Sequence, residues 1–151
     1  MGWERVSAIL VEVARGREGY GAFRSWFGGM PYVSDGGEAN AVARMVGYIV
    51  EAPNAFFDLT AAEAREALSF FAVDNMVMPN GHFAPAEAAE VFANGIERLG
   101  PQARFFSNGH WHEYARSNAF GWNGISQATF DGGVIGMNDE VAFIVWVEEE
   151  D

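Results

Sequence analysis

Apolar residues recur at helical spacing in four stretches before Pro101, and each stretch predicts an amphipathic helix. The first helix is expected to end at Arg15-Gly16 and the second before Pro53. Thr60 and Glu63 form a capping box that starts the third. Pro85 suits the first turn of the fourth, which Gly100-Pro101 ends. The predicted inward positions are Trp3, Val6, Ile9, Leu10 and Val13; Ala39, Val42, Met45, Val46, Ile49 and Val50; Ala64, Leu68 and Phe71; and Val91, Ile96 and Leu99.

Residues 16 to 37 are rich in glycine but also carry many aromatic side chains, which a flexible linker would not hold. This composition predicts a short helix and a packed loop, with a turn at Asp35-Gly36-Gly37. The aromatic residues are expected in the core, and a pocket for a small molecule is the other interpretation. They are Tyr20, Phe23, Trp26, Phe27 and Tyr32.

The pattern changes to strands after Ala103. Ser107-Asn108-Gly109 predicts a hairpin between residues 104–106 and 111–115. A second pair of strands leads through residues 138–140 into 141–147, where both alternating faces are apolar. Such a strand is expected to be covered on both sides. The order of elements predicts one α+β domain over residues 1–151, with N-terminal helices packed on a C-terminal antiparallel sheet.

Composition narrows the class of protein further. Half of the 151 residues are apolar, which excludes global disorder. No apolar run approaches the ~20 residues that a bilayer crossing needs, and the start of the chain lacks the features of a signal peptide, so we expect a cytoplasmic protein. The chain has neither lysine nor cysteine. This excludes Schiff-base, phosphate-loop-lysine and thiolate chemistry.

The charge balance points to a partner. Twenty-one acidic residues stand against nine arginines, a formal net charge of −12. Nucleic acid and anionic membranes repel such a surface, whereas a basic protein attracts it. The balance therefore predicts a basic protein partner, with no nucleic acid and no membrane bound. It leaves the oligomeric state open.

A histidine pair is the sharpest local pattern that suggests chemistry. His110 and His112 would point to the same face of a strand, as imidazoles do in several β-sheet metal sites. His82 in a nearby turn, with Glu113 or Asp131, would complete a zinc or iron site. A pair of hydrogen-bonded histidines at a hairpin rim is the simpler interpretation.

Carboxylate catalysis is a second possibility, with Asp131 and Glu113 as acid and base. Since Asp131 precedes Gly132-Gly133, a turn is its expected role. No serine elbow or dinucleotide fingerprint is present in the sequence. We therefore predict no catalytic residue and no cofactor.

The acidic C-terminus permits two interpretations. Glu148, Glu149, Glu150 and Asp151 directly follow the last apolar strand, and Asp139 and Glu140 lie before it. Such a run is either a solvated tail or a docking surface for basic residues of a partner. In the second case tryptophan supplies anchors. The candidates are Trp111, Trp122 and Trp146, although Trp146 is expected in the core.

The end of the chain also resembles a known class. Its pattern is Ala128-Thr129-Phe130-Asp131-Gly132-Gly133-Val134-Ile135-Gly136 followed by Val145-Trp146-Val147-Glu148-Glu149-Glu150-Asp151. This last quarter is similar to the endings of small acidic bacterial immunity proteins, which neutralise secreted polymorphic toxins. The resemblance implies an α+β inhibitor that occludes a toxin domain and has no catalytic residue.

The prediction is thus a stoichiometric, antitoxin-like inhibitor that is not an enzyme and that binds a basic toxin or enzyme domain through an acidic face. The alternative is a small metal-binding protein or metalloenzyme that uses His82, His110 and His112. The partner-binding candidates are Asp139, Glu140, Glu148, Glu149, Glu150 and Trp122.

Overall fold

The computed structural model describes residues 6–8, 11, 15, 21–33, 37–50, 55–73, 88–111, 124–128 and 130–149. It is an α+β fold. Residues 6–8, 11 and 15 are helical. The elements that follow are β1 (Gly21–Gly29), α1 (Gly37–Arg44), β2 (Phe57–Leu59), α2 (Ala61–Val73), α3 (Ala88–Glu97), β3 (Arg104–Ser107), β4 (Phe130–Met137) and β5 (Val141–Glu149).

The strands form one five-stranded sheet in the order β1-β5-β4-β3-β2. Every neighbouring pair is antiparallel. β4 and β5 are joined by the predicted tight connection at residues 138–140. There the Oδ1 of Asn138 accepts hydrogen bonds from the backbone N–H groups of Glu140 and Val141, both at 2.8 Å. This side chain closes the β4–β5 hairpin.

The predicted two-faced strand is confirmed in β5. Its odd positions, Phe143, Val145 and Val147, belong to one core cluster with α2 and α3. Its even positions, Ala142, Ile144 and Trp146, belong to a second cluster with α1. We call the two sides of the sheet the odd face and the even face. Since helices cover both faces, β5 is buried on both sides.

The helix predicted within residues 16 to 37 is wrong where the structure describes them, because residues 21–29 are the strand β1, and residues 30–33 belong to neither a helix nor a strand. In β1, Phe23 and Phe27 pack against the odd-face cluster and Trp26 packs against the even-face cluster. This is the two-residue period of a strand. The sequence concealed that period, because Arg24 and Ser25 lie between the aromatic residues and glycines lie at both ends of the strand. Strands therefore occur early in the chain as well as late.

The predicted hairpin around Ser107-Asn108-Gly109 is also corrected. β3 pairs with β2 on one side and β4 on the other. Trp111 lies in a 3₁₀ turn, and residues 112–115 lie outside the described residues. Asn108 is buried, and its side chain donates to Asp131, so it serves a long-range contact instead of a tight turn.

Helix α1 is shorter than the predicted span of 39 to 50. It ends at Arg44, and the chain reverses direction three residues later at Gly47, which has a φ of +94°. The N–H of Tyr48 donates to the carbonyl of Ala43 at 3.2 Å, and that of Gly47 donates to the carbonyl of Arg44 at 3.0 Å. This pair of bonds is a Schellman motif, which requires a left-handed residue at Gly47. The motif turns Tyr48 back towards the sheet.

The other helix predictions are confirmed where residues are described. The N–H of Thr60 donates to Oε1 of Glu63 at 2.8 Å, and the N–H of Glu63 donates to Oγ1 of Thr60 at 3.1 Å, which is the capping box. The inward positions Ala64, Leu68, Phe71, Val91, Ile96 and Leu99 are buried. Gly100, with a φ of +84°, follows the end of α3. Pro85 lies outside the described residues.

Candidate functional site

Asp131, at the start of β4 and 0% exposed, is a buried carboxylate whose two oxygens both accept several hydrogen bonds. Its Oδ1 accepts from Nδ2 of Asn108 at 2.9 Å and from Nε1 of Trp146 at 3.3 Å. Its Oδ2 accepts from the backbone N–H groups of Ile125 and Ser126, each at 3.0 Å, and from Oγ of Ser126 at 2.9 Å. All of these donors are neutral.

This geometry corrects the turn predicted for Asp131, because the residue lies within a strand. Its acceptors already receive donors from β5, from Asn108 and from residues 124–128. The carboxylate therefore fastens residues 124–128 to the sheet. Its suggested acid–base partner, Glu113, lies outside the described residues, so that pairing stays a prediction.

The Asp131 network continues onto the odd face through Asn108. Nε1 of Trp111 donates to Oδ1 of Asn108 at 2.8 Å. A Cβ atom at Gly132 would lie 2.5 Å from the Trp111 ring, so glycine is needed for the indole to pack on β4. Trp111 and Trp146, both proposed as exposed anchors, are buried, so neither can serve as one in this structure. The core position expected for Trp146 is confirmed.

A second polar cluster lies beside Asp131 on the even face. Oε2 of Glu148 accepts from Nε of Arg24 and from the phenol of Tyr48, each at 2.9 Å. Nη1 of Arg24 also donates to the carbonyl of Val46 at 2.8 Å. The guanidinium carbon of Arg24 lies 4.9 Å from the centre of the Tyr48 ring. The side chain of Glu148 is 15% exposed.

Burial, followed by the hydrogen bond and the negative charge of Glu148, raises the pKa of Tyr48. The phenol is consequently held as a neutral donor to Glu148. An open cleft of about 450 Å³ borders this cluster and residues 124–127. Within it, the charged and phenolic groups are bonded to one another, so the arrangement fixes the end of the sheet.

Glu149 points to the odd face and is 1% exposed. With Glu148 also largely enclosed, these two members of the acidic run lie inside the structure. The docking surface predicted from the C-terminal run stays a prediction, and in this structure these two carboxylates offer it little exposed surface. Glu150 and Trp122, the other candidates from the C-terminal third, lie outside the described residues.

The opposite end of the β4–β5 hairpin presents its carboxylates to solvent. Asp139, with a side chain 88% exposed, lies 3.4 Å from Nη1 of Arg104, at the start of β3. Glu38, at the start of α1, receives hydrogen bonds from Nε of Arg104 at 3.0 Å and from Nη2 at 3.2 Å. Glu140 is exposed. Two carboxylates, those of Glu38 and Asp139, thus pair with Arg104, and Glu140 is the next residue of the turn.

An exposed aromatic residue lies at this same end. The N–H of Met30 donates to the carbonyl of Glu140 at 2.9 Å, and Tyr32, two residues further, is 89% exposed. We call Tyr32, Glu38, Asp139 and Glu140 the acidic end of the sheet. The sequence prediction missed Tyr32 because it was grouped with the core aromatics.

The residues predicted to bind a partner therefore lie at two opposite ends of the β4–β5 hairpin. Asp139 and Glu140 are at one end of the hairpin, and Glu148 and Glu149 are at the other. Eight residues of extended chain separate Glu140 from Glu148, which corresponds to about 26 Å. The structure brings Asp139 and Glu140 together with Glu38 and Tyr32, which were not predicted, and it does not join them to the C-terminal carboxylates.

Of the histidines, only His110 lies in the described residues. Its ring stacks on Phe57, with centroids 5.5 Å apart and an interplanar angle of 28°. No group of three potential metal ligands occurs in the described part of the chain. Since His82 and His112 lie outside it, the three-histidine metal site stays a prediction.

Comparison with protein-family models, with curated proteins and with solved structures finds no match to this chain. Among the described helices, none combines the length and the apolar character needed to cross a membrane.

Proposed function

We propose that this protein is a stoichiometric inhibitor, of the immunity or antitoxin kind, that binds a basic toxin or enzyme domain through the acidic end of the sheet. The observation that carries the proposal is the exposure of Tyr32 beside the carboxylates of Glu38, Asp139 and Glu140. This combination places an aromatic side chain at the same end of the sheet as three carboxylates. It replaces the C-terminal run as the expected contact surface.

The physical basis is electrostatic steering followed by local packing. A net charge of −12 attracts a basic partner over the Debye length, about 10 Å at moderate salt. Asp139 and Glu140 would pair with arginine or lysine side chains that otherwise hold an anionic substrate. Tyr32 offers a large contact area with few rotatable bonds, and arginine stacks well on its ring. Inhibition follows from covering the partner's cleft.

The first experiment is capture from the cells that produce the protein. The tagged chain is loaded at low salt, eluted with a salt gradient, and the co-eluting proteins are identified by mass spectrometry. The expected result is one basic domain in equal amount whose activity is lost in the complex. A bound protein that keeps its full activity, or the absence of any stoichiometric basic partner, contradicts the proposal.

The placement of the contact surface needs a charge-matched comparison. The double variant Asp139→Asn/Glu140→Gln and the single variant Tyr32→Ala alter the acidic end. The control Asp58→Asn/Glu90→Gln removes the same charge from exposed positions on β2 and α3. We expect the first double variant to slow association roughly tenfold and Tyr32→Ala to speed dissociation. Equal slowing by the control would mean that net charge alone acts and that the surface lies elsewhere.

A further inference from the structure

The open cleft beside Glu148 is lined by two distant parts of the chain. One part follows the C-terminal turn of α1, and the other is the segment of residues 124–127. Its volume of about 450 Å³ lies within the usual range of small-molecule sites. Such sites combine apolar side chains with a few polar groups that fix the orientation of the ligand. Here the apolar side chains are Ile49, Val50 and Ile125, and the polar ones include Arg24, Gln127 and Glu148.

Arg24 is held in one orientation but does not use all of its donors. Its Nε donates to Glu148 at 2.9 Å, and its Nη1 donates to the carbonyl of Val46 at 2.8 Å. The guanidinium also lies over the ring of Tyr48. Nη2 has no hydrogen-bond partner within the described chain, and the side chain is 41% exposed. A donor that is already fixed loses little conformational freedom when a ligand binds to it.

Glu148 has an unused acceptor in the same ion pair. Its Oε2 accepts from both Arg24 and Tyr48, whereas no donor in the described residues reaches Oε1. The whole side chain is only 15% exposed. A largely enclosed carboxylate oxygen without a donor is unfavourable. Because Glu148 lines the cleft, a ligand bound there can supply that donor.

The two unused groups define the chemistry that fits the cleft. They belong to one ion pair whose Nε–Oε2 distance is 2.9 Å, so a donor and an acceptor lie close together. A complementary ligand presents an acceptor next to a donor, as the edge of a primary amide or of a cyclic amide does. A carboxylate presents only acceptors and is repelled by Glu148. An amidinium presents only donors and is repelled by Arg24.

We propose that this cleft binds a small molecule through the edge of a primary or cyclic amide. The amide carbonyl accepts from Nη2 of Arg24, and the amide N–H donates to Oε1 of Glu148. Both hydrogen bonds involve a charged protein group, which strengthens them. The apolar body of the ligand lies against Ile49 and Ile125. This site is at the opposite end of the β4–β5 hairpin from the acidic end of the sheet, so the inference does not rest on the proposed function.

The test compares three probes that share a phenyl ring, namely benzamide, benzoate and benzamidine. Each is titrated into the isotope-labelled protein, and two-dimensional NMR follows the backbone amides of residues 47–50 and 124–127. We expect benzamide to shift these signals saturably, with a dissociation constant on the order of millimolar for so small a ligand. The other two probes should bind at least about fivefold more weakly. The absence of saturable shifts with benzamide, or tighter binding of benzamidine, overturns the proposal.

A change of preference provides the most specific measurement. In Glu148→Gln the amide oxygen is expected at the position of Oε2, where two donors meet, and an NH₂ group replaces Oε1. Both unused groups are then donors, so benzoate should bind more tightly than benzamide. Glu90→Gln makes the same change at an exposed position of α3 and should keep the wild-type order. An unchanged order in Glu148→Gln, or an equal gain for benzoate in both variants, contradicts the assigned contacts.

A second variant tests the apolar contact without altering the ion pair. Ile49 is 80% exposed, so Ile49→Ala is expected to fold normally and to weaken benzamide binding about threefold while keeping the order of the probes. Met45→Ala shortens another exposed apolar side chain, one that does not line the cleft, and should have no effect. Equal weakening by the two variants would place the probe elsewhere and overturn the inference. Capture of a basic partner is expected to be unaffected by Ile49→Ala, so the two proposals can fail separately.

Discussion

The two ends of the β4–β5 hairpin carry the same kind of side chain in opposite environments. At the turn, Asp139 and Glu140 are exposed, and Asp139 forms an ion pair with a partly exposed arginine. At the open end, Asp131 and Glu149 are fully enclosed and Glu148 is nearly so. The comparison shows that an acidic sequence segment does not by itself mark an acidic surface, because strand direction and burial decide which carboxylates reach solvent.

The energetic consequences differ in the same way. Exposed ion pairs contribute about 0–1 kcal/mol, since water and salt screen them and the side chains lose rotational freedom. A buried carboxylate is costly unless donors surround it, and removing it leaves those donors without partners. The open end is therefore expected to contribute to stability, and under the proposed function the turn is expected to contact the partner. The following predictions separate these two roles.

The largest effect is expected from Asp131→Ala. The change leaves the N–H groups of Ile125 and Ser126 and the side chains of Asn108 and Trp146 without their common acceptor. We expect the free energy of unfolding to fall by about 3–5 kcal/mol in urea titrations followed by tryptophan fluorescence. Asp131→Asn keeps the volume but replaces one acceptor oxygen by an NH₂ group that faces donors, so it should also lose stability. A loss below about 1 kcal/mol in both variants would mean that the network does not support the fold.

A smaller effect is expected from Tyr48→Phe, which removes one hydrogen bond to Glu148 and leaves the bond from Arg24 in place. The expected loss is about 1–2 kcal/mol. A double-mutant cycle with Glu148→Gln measures the coupling between the two side chains. Additive losses would show that the phenol and the carboxylate do not act together.

The same tyrosine predicts a pH dependence at the alkaline end. Its pKa in the folded state lies above the ordinary value of 10.0, so the folded protein holds this proton more tightly than the unfolded chain does. The stabilisation is complete below pH 10.0 and declines as the pH rises above that value. The chain has no lysine, so no lysine side chain titrates in the same alkaline pH range. The decline should be shallower in Tyr48→Phe, as measured by urea unfolding at successive pH values, and identical slopes would contradict it.

The smallest effect on stability is expected at the turn. Asp139→Asn should change the free energy of unfolding by no more than about 0.5 kcal/mol, because the side chain is exposed and Arg104 retains Glu38. Its effect on association with a basic partner should be clear at low salt and should fade at high salt. A stability loss comparable to that of Tyr48→Phe would remove the distinction between the two ends.

Local signals predicted the elements that depend on neighbouring residues. The capping box of α2, the end of α3 at Gly100 and the two-faced pattern of β5 all follow from spacing within a few residues. β1 was missed because the adjacent polar residues Arg24 and Ser25 hide its alternation and because its pairing partner lies more than 110 residues away, with Gly21 opposite Glu149. β2, at three residues, is too short to show a period.

The candidate site was likewise predicted only in part, because local signals identify some of its residues and long-range pairing brings in the others. Asp139 and Glu140 could be chosen from their place in a turn, and their exposure agrees with that choice. Tyr32 and Glu38 join them only because β1 pairs with β5 and α1 begins beside β3. No local pattern distinguishes Tyr32 from the aromatic residues of β1 that lie in the core.

Composition and periodicity alone were sufficient for the net charge, the α+β class and the apolar last strand, since each depends on residue types or on short spacings. The tertiary structure decided which individual carboxylates are buried and which are exposed. The local sequence predicts Asp131 to be a turn residue, yet it lies in a strand, where Asn108, Trp146 and residues 125–126 supply its donors. Glu148 reads as part of a solvated tail, yet Arg24 and Tyr48 enclose it. The physical reason is that the energy of a charge depends on the groups that replace its water, and those groups are assembled by long-range pairing.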